Sequence, residues 1–304
     1  MAAPCGPTAS MYMEDCVAGM RSHIASASID VVVTSPPYNL GIDYRSYNDM
    51  MPRGEYLAWT REWATEVARV LAPGGSFFLN VGAKPTDPWV PFDVASVMRE
   101  LFELQNVIHW VKSIAINRSD MGAGVQIDGD IAVGHYKPIR SSRYVNDCHE
   151  YVFHFTHTGK VPLDRLAVGV PYQDKSNIAR WRETAEARRD LRCRGNTWFI
   201  PYTTINSRSD DRPHPATFPP KLPQMCIELH GTSRCATVMD PFMGLGNSAL
   251  ACAGLGVDFV GFELDEFYFS KSVEGARRAL ASVDARAGRG AAPDAGSSAG
   301  PGAR

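Results

Sequence analysis

Apolar and polar positions follow two different periods along this chain, and together they predict alternating strands and helices. Short apolar runs, typical of buried strands, occupy residues 29–34, 76–81, 107–111, 150–156, 237–239 and 258–263, with a weaker run at 11–16. The run at 29–34 is rich in β-branched residues. Apolar residues at helical spacing occupy 17–27, 56–71, 92–102, 223–230, 248–253 and 267–281. This alternation predicts a doubly wound α/β fold with a mainly parallel sheet.

Three segments depart from this rhythm. Residues 113–147 are polar and glycine-rich, and we expect a long active-site loop there. Residues 160–212 have weak periodicity and contain a basic cluster, with eight basic against three acidic residues between positions 175 and 208. Residues 282–304 consist mostly of small residues and lack a core-forming pattern, so we expect a disordered tail.

Composition narrows the class of protein. A chain of 304 residues can form one large domain or one domain with an insert. The net charge of −2 means that any nucleic-acid binding requires a local basic patch. Residues 1–10 lack the features of a secretory signal, and no apolar run is long enough to span a bilayer. The seven cysteines have no C-x-x-C spacing, which favours free thiols in the cytoplasm.

The sequence Thr-Ser-Pro-Pro-Tyr at 34–38 follows directly on a predicted strand. Two consecutive prolines end that strand, because each lacks an N–H and has a fixed φ. The turn therefore lies at a strand end, where open α/β sheets bind their ligands. It carries a hydroxyl, carbonyl groups released from the ladder and an aromatic ring, which suit a planar group bearing an amine. A proline-rich surface turn is the structural alternative.

A second motif runs from a predicted strand through a glycine turn into a helix at 238–248. Gly244 and Gly246 allow close approach of a ligand, and the helix N-terminus offers N–H groups. Glu263 ends the next predicted strand, where a carboxylate can bind the two hydroxyls of a ribose. The third glycine of the dinucleotide fingerprint and a phosphate-binding Lys-Ser/Thr are missing. The pattern therefore favours a ribose-containing ligand without pyrophosphate, such as S-adenosylmethionine.

Together these motifs resemble those of the DNA amino-methyltransferases, whose hallmarks are a D/N/S-P-P-Y/F catalytic turn and an F-x-G-x-G cofactor loop. Residues 242–246 match that loop, and the catalytic turn precedes it with the basic segment between them. This order is similar to that of the circularly permuted β-type subgroup. The resemblance covers residues 10–280 and implies the Rossmann-like fold of S-adenosylmethionine-dependent methyltransferases.

The same resemblance implies a division of the chain. The catalytic part would occupy 11–159, the target-recognition insert 160–212 and the cofactor-binding part 213–281. Tails would occupy 1–10 and 282–304. The partner would be double-stranded DNA. A homodimer formed through residues 113–147, a cognate restriction endonuclease, and a prokaryotic or phage origin with cytoplasmic location are further expectations.

Individual roles also follow from the resemblance. The catalytic turn comprises Ser35, Pro36, Pro37 and Tyr38. The expected cofactor contacts are Asp15, Cys16, Thr34, Thr217, Phe218, Asp240, Pro241, Phe242, Gly244, Gly246, Asn247, Ser248, Glu263 and Leu264. The basic surplus of residues 160–212 separately predicts DNA contacts by Arg180, Arg182, Arg188, Arg189, Arg192 and Arg194, with Arg192 and Arg194 as the contacts to bases. No metal is implied, and structural roles are expected for His149, His154 and His157. A buried apolar position is an equal alternative for Cys16.

The implied reaction is methylation of the exocyclic amine of a base flipped out of duplex DNA. Ser35 and the Pro36 carbonyl would accept the amine hydrogens, and Tyr38 would stack on the base. Serine at position 35 favours cytosine N4, because aspartate there is commoner in adenine-N6 enzymes, which remain the alternative. Carbon-5 methylation is disfavoured, since its Pro-Cys turn occurs here only as Pro4-Cys5.

Two alternative functions belong to other classes of protein. A non-catalytic DNA-binding subunit is disfavoured because both motifs are intact. An RNA or protein-glutamine amino-methyltransferase is disfavoured by the basic insert and the permuted order of the motifs.

Overall fold

The computed structural model describes residues 6–42, 44–122, 128–134, 140–173, 190–201 and 217–290. Much of the predicted basic cluster, including Arg180, Arg182, Arg188 and Arg189, lies outside these described residues.

The described strands, in chain order, are β1 (Ala9–Tyr12), β2 (Ile29–Thr34), β3 (Leu71–Val81), β4 (Glu103–Val111), β5 (Ser113–Ile116), β6 (Ile131–Gly134), β7 (His149–Thr156), β8 (Val170–Pro171), β9 (Leu191–Arg192), β10 (Thr197–Phe199), β11 (Thr237–Asp240) and β12 (Asp258–Phe262). Eight of them form the central sheet, in the order β1-β12-β11-β2-β3-β7-β4-β10. Neighbours in this sheet pair in parallel except β7, which is antiparallel to both β3 and β4. The pairs β5–β6 and β8–β9 form separate two-stranded sheets.

The described α-helices are α1 (Cys16–His23), α2 (Arg53–Val70), α3 (Val90–Met98), α4 (Lys221–His230), α5 (Asn247–Leu255) and α6 (Glu266–Gly290). Helices α1–α3 pack on one face of the sheet, where Met20, Trp63 and Val94 join a buried cluster with Val32 and Phe77. Helices α4–α6 cover the other face, where their buried residues cluster with Val31 and Phe78. Successive residues of β2 thus face opposite layers. The predicted doubly wound, mainly parallel α/β fold is confirmed.

The two sequence motifs meet at the centre of this sheet. Strands β2 and β11 are neighbours, with Val31 opposite Val238 and Val32 opposite Met239. From β2 the chain proceeds through α2 to β3 on one side, and from β11 through α5 to β12 on the other. The strand order therefore reverses between β2 and β11, and such a switch point opens a crevice at the carboxyl ends of the strands.

Several predicted boundaries were wrong near the ends of the chain. The first strand ends at Tyr12 instead of residue 16, because the Asp15 carboxylate caps α1 by accepting from the N–H groups of Val17 and Ala18. Ala9 belongs to this strand, opposite Phe259, and not to a tail. Helix α6 continues to Gly290 and includes the start of the predicted tail, since alanine and arginine favour helix.

Two predictions for the middle of the chain also differ from the structure. The expected loop at 113–147 contains the paired strands β5 and β6. The predicted insert at 160–212 contains β10, which joins the main sheet beside β4 and pairs Trp198 with Trp110. Trp198 is 1% exposed, so this part of the insert belongs to the core. A strand of three residues is too short to produce a readable period. Within the described ranges, no helix is both long and apolar enough to cross a bilayer.

Candidate active site

The ends of β2 and β11 are joined by a buried carboxylate. Thr34 Oγ1 and Ser248 Oγ donate to Asp240 Oδ1 and Oδ2, each at 2.6 Å. The Phe242 N–H donates to Oδ1 at 3.1 Å. Burial raises the pKa of Asp240 to about 6, and the donated hydrogen bonds oppose that rise. Asp240 therefore fastens the catalytic turn to the cofactor loop.

Three of the residues expected to contact the cofactor are buried behind the wall of the cleft. Thr34, Asp240 and Ser248 are at most 1% exposed and do not line the cleft at the strand ends. The hydroxyls of Thr34 and Ser248 donate their hydrogen bonds to Asp240, so these side chains support the cleft wall from behind. Their hydrogen bonds hold the cofactor loop in place beside the end of β2.

Gly246 of the cofactor loop packs closely against α6. Its φ is +77°, and a Cβ there would lie 2.9 Å from the Cβ of Ser272 on α6. Gly246 is not among the residues that line the cleft, and the close approach that requires glycine here is that of α6. Gly244 does line it, with a φ of +51°.

The cleft brings most of the predicted residues together. Those that line it are Asp15, Cys16, Ser35, Pro36, Pro37, Tyr38, Thr217, Phe218, Pro241, Phe242, Gly244, Asn247, Glu263 and Leu264. The lining residues that the sequence analysis missed are Glu14, Tyr44, Ser46, Tyr47, Trp59, Met243, Phe262, Asp265 and Tyr268. The catalytic turn and the cofactor loop thus face one shared cavity.

Glu263 is fixed at the carboxyl end of β12. Its Oε2 accepts from the Gly244 N–H at 2.9 Å and its Oε1 from the Asp265 N–H at 2.8 Å. Burial raises its pKa above the ordinary value, against the effect of these backbone bonds. Because a carboxylate oxygen has two acceptor sites, each can accept one more hydrogen bond, as from the hydroxyls of a ribose.

The opposite wall begins at α1 and at the segment that precedes α4. Cys16 is 5% exposed, and burial raises the pKa of its thiol, so it presents a neutral, largely apolar surface.

Asn247 Nδ2 donates to the Phe218 carbonyl at 2.7 Å, which ties the start of α5 to the segment that carries Thr217.

An aromatic wall follows the catalytic turn. The Asp49 carboxylate, 2% exposed, accepts from the N–H groups of Asn39, Leu40 and Ile42 and so folds the segment between them. The same segment brings Tyr47 into the cleft, where its ring lies 5.5 Å from that of Trp59. The sequence signal was the density of aromatic residues at 44–59, which the helical pattern of α2 partly obscured.

Behind the catalytic turn lies a polar network. Ser35 Oγ is 2.6 Å from Tyr38 Oη, which donates to Glu150 Oε2 at 3.1 Å. Asn80 Nδ2 lies 2.7 Å from Tyr38 Oη and 2.6 Å from Glu150 Oε2. Lys112 Nζ is 2.7 Å from Glu150 Oε1. The sequence analysis missed these last three residues because they are distant in sequence from the motif.

One backbone carbonyl of the turn is already engaged. Tyr56 Oη donates to the Pro37 carbonyl at 3.0 Å, which holds the turn against α2. Ser35 and Pro36 line the cleft.

Histidines and arginines outside the cleft have varied roles. His154 Nε2 lies 3.0 Å from Ser76 Oγ, and His157 Nε2 lies 3.2 Å from the Leu71 carbonyl. Arg192 is exposed on β9, whereas Arg194 Nε donates to the Val168 carbonyl at 3.0 Å. In the part of the chain that the structure describes, no group of three or more His, Cys, Asp or Glu residues could hold a metal ion.

The sequence and this geometry agree with one known family. The chain belongs to the N6/N4 DNA methylase family, whose model matches residues 29–274. Curated relatives include the type II methyltransferase M.BglII of Bacillus subtilis, 28% identical over 259 residues that cover 82% of this chain and 64% of the relative. Another is M.ScaI of Streptomyces caespitosus, 28% identical over 80% of this chain and 73% of the relative. The chain spans less than two thirds of the length of M.BglII.

Solved structures share the fold. The cytosine-N4-specific PvuII DNA methyltransferase superposes with a TM-score of 0.60 at 20% identity, over 91% of this chain and 93% of that one. TTHA0409 of Thermus thermophilus, solved with S-adenosyl-L-methionine, gives a TM-score of 0.56 at 21% identity, over 90% and 95%. The predicted methyltransferase fold is confirmed, and the ligand of TTHA0409 agrees with the predicted cofactor.

Proposed function

We propose that this protein transfers a methyl group from S-adenosylmethionine to the exocyclic N4 amine of a cytosine flipped out of duplex DNA. The observation that carries the proposal is the shared cleft: Ser35 of the catalytic turn and Glu263 at the end of β12 line the same cavity.

The residues of the cleft fit this cofactor. Glu263 has acceptor capacity for the ribose hydroxyls, and Asp15 lies with Cys16 where the adenine would bind. Phe242 and Gly244 would surround the methionine end, and Thr217 would close over its carboxylate. When bound, S-adenosylmethionine supplies an electrophilic methyl group on a cationic sulfur.

The remaining chemistry is positioning of a weak nucleophile. The lone pair of an exocyclic amine is conjugated into the base, so the nitrogen must be drawn toward tetrahedral geometry before it can attack. The Ser35 oxygen and the Pro36 carbonyl can each accept one amine hydrogen, which aims the lone pair into the cleft. Preorganised acceptors and alignment of the reacting groups then lower the barrier, with no covalent enzyme intermediate.

Cytosine is preferred over adenine because of the residue at position 35. Its neutral hydroxyl departs from the carboxylate that is commoner at this position in adenine-N6 enzymes. The structural likeness to a cytosine-N4-specific enzyme agrees with this preference. The alternative is an adenine-N6 enzyme that uses the same cleft.

Recognition of the DNA target is assigned to residues 160–212, excluding β10. This segment lies between the two motifs, in the order expected for the β-type subgroup, and carries the basic surplus. Arg192 is the better described candidate for a base contact, because it is exposed while Arg194 is engaged with a backbone carbonyl. A homodimer and a companion restriction endonuclease stay predictions.

The experiment is incubation of the protein with radiolabelled S-adenosylmethionine and duplex DNA, followed by digestion to nucleosides and chromatography. We expect the label in N4-methyl-2′-deoxycytidine, and none with RNA or protein acceptors. Label in N6-methyl-2′-deoxyadenosine would overturn the choice of base but retain the reaction class. Absence of label from every nucleoside would overturn the function.

A further inference from the structure

The polar network behind the catalytic turn has one acidic member, Glu150. Its side chain is 12% exposed and lies 2.7 Å from Lys112 Nζ. Burial raises the pKa of Glu150, but the charge of Lys112 and the hydrogen bonds from Lys112, Asn80 and Tyr38 outweigh that effect and hold it below the ordinary value. Glu150 is therefore a carboxylate at neutral pH, and a carboxylate can only accept hydrogen bonds.

This acceptor fixes the hydrogen of Tyr38. Tyr38 Oη lies 3.1 Å from Glu150 Oε2, and Tyr38 has a single hydroxyl hydrogen. If that hydrogen pointed elsewhere, two lone pairs would face each other at this distance. Tyr38 therefore donates to Glu150, and its oxygen is left as an acceptor for its other neighbours.

Asn80 is oriented by the same carboxylate. Its amide nitrogen lies 2.6 Å from Glu150 Oε2 and 2.7 Å from Tyr38 Oη, so its two hydrogens serve these two acceptors. Turning the amide over would press a carbonyl oxygen against the carboxylate. The contact from Asn80 to Ser35 Oγ is longer, at 3.4 Å, and takes neither hydrogen.

The direction of the last bond follows. Because the Tyr38 hydrogen is committed to Glu150, the 2.6 Å contact between Ser35 Oγ and Tyr38 Oη must be donated by Ser35. The Ser35 hydrogen is then committed to Tyr38. The oxygen of Ser35, a residue that lines the cleft, keeps its lone pairs to accept a hydrogen from an amine.

We infer that Glu150 is a positioning residue which, through Tyr38, turns the Ser35 hydroxyl so that it presents an acceptor to the amine that is methylated. This inference rests on the proposed function. It adds that the direction of the hydrogen bonds in the catalytic turn is set by a residue more than a hundred positions away in the chain.

The test combines Glu150→Gln with Tyr38→Phe. Single-turnover methyl transfer should fall about 10- to 100-fold in Glu150→Gln, the usual range for loss of a group that orients a functional side chain. In the Tyr38→Phe background the same change should cost less than about 2-fold, because the link to Ser35 is already broken. Affinity for S-adenosylmethionine should be unchanged in all variants.

A second readout is independent of activity. In protein labelled with ¹³C at tyrosine Cζ, the Tyr38 resonance is assigned by its loss in Tyr38→Phe. It should move in Glu150→Gln, because the hydroxyl loses a charged acceptor. The matched control is Glu66→Gln, which removes another buried carboxylate, 7% exposed and paired with Arg21 and Arg69, remote from the turn. Glu66→Gln should leave both the resonance and the transfer rate unchanged.

The outcomes separate this inference from the proposed function. An equal loss of rate in both backgrounds, or an unmoved Tyr38 resonance, overturns the role of Glu150. If the unmodified protein methylates no DNA amine, the proposed function fails, and the resonance alone then decides the direction of the hydrogen bonds. If Glu150→Gln does not fold, the double variant Glu150→Gln/Lys112→Met takes its place in both measurements. The double variant removes both charges of the pair and so leaves no unpaired buried charge.

Discussion

Thr34 and Asp240 are 206 positions apart in the chain, and the hydroxyl of one donates a 2.6 Å hydrogen bond to the carboxylate of the other. This bond joins the catalytic turn to the cofactor loop at the point where the strand order reverses. The position of each motif therefore depends on the other.

Thr34→Val should test that dependence. The variant keeps the shape but removes one donor from a buried carboxylate, so we expect a loss of about 1–3 kcal/mol in the free energy of unfolding and weaker cofactor binding by calorimetry. Thr60→Val is the matched control, because Thr60 is also buried and its hydroxyl donates to the carbonyl of Tyr56 within α2. Equal effects of the two variants on cofactor affinity would contradict the coupling.

Gly246→Ala should destabilise the fold instead of blocking a ligand. The new Cβ would lie 2.9 Å from Ser272 Cβ, at a φ of +77°. Gly256→Ala is the control, since its φ is +72° and nothing lies within 4 Å of the new Cβ. Both variants should lose about 1–3 kcal/mol through backbone strain, and we expect the first to lose more free energy of unfolding than the second. Equal losses in urea denaturation would refute the clash with α6.

Ser35→Ala should separate chemistry from cofactor binding. Ser35 lies on the catalytic turn, and the cofactor loop holds its shape through other groups. We expect methyl transfer to fall about 10²-fold or more, while calorimetry records nearly unchanged affinity for S-adenosylmethionine. Abolished cofactor binding would show that the two parts of the cleft are not separable.

Acid should destabilise the protein through two buried histidines that share Ser76. Its oxygen lies 3.0 Å from His154 Nε2 and 2.9 Å from His230 Nδ1. Burial lowers the pKa of His154 to about 3 and that of His230 to about 4, with further lowering by neighbouring positive charge. The unfolded chain therefore binds more protons below pH 6.5, and stability is lost as the pH falls from there toward the folded values.

Each histidine should lower the free energy of unfolding by about 2 kcal/mol as the pH falls from 6.5 to 5. Asp240 acts in the opposite direction: its pKa is raised to about 6 by burial, so its contribution is present at low pH and is lost as the pH rises through that value. The difference between wild type and His154→Gln isolates the histidine effect. Denaturation across this range should give a shallower dependence of the free energy of unfolding on pH for the variant than for the wild type.

The sequence was sufficient for the fold class and for the two motifs, because buried parallel strands and Gly/Pro turns leave strong local patterns. The network of Asn80, Lys112 and Glu150 could not be predicted, since its members converge only when β3, β4 and β7 pair. Gly246 is a further example. The glycine of the motif is visible in the sequence, but only the fold shows that Ser272 approaches it.

The strand order also has a consequence for synthesis of the chain. Strand β2 is central in the sheet, yet its neighbour β11 begins only at Thr237, and β1 pairs with β12, which begins at Asp258. Until those residues leave the ribosome, β1 and one edge of β2 have no partner strand from this sheet. Exposed strand edges promote association with other chains, and such late pairing slows folding. A nascent chain halted before residue 237 should therefore aggregate instead of folding as an independent unit.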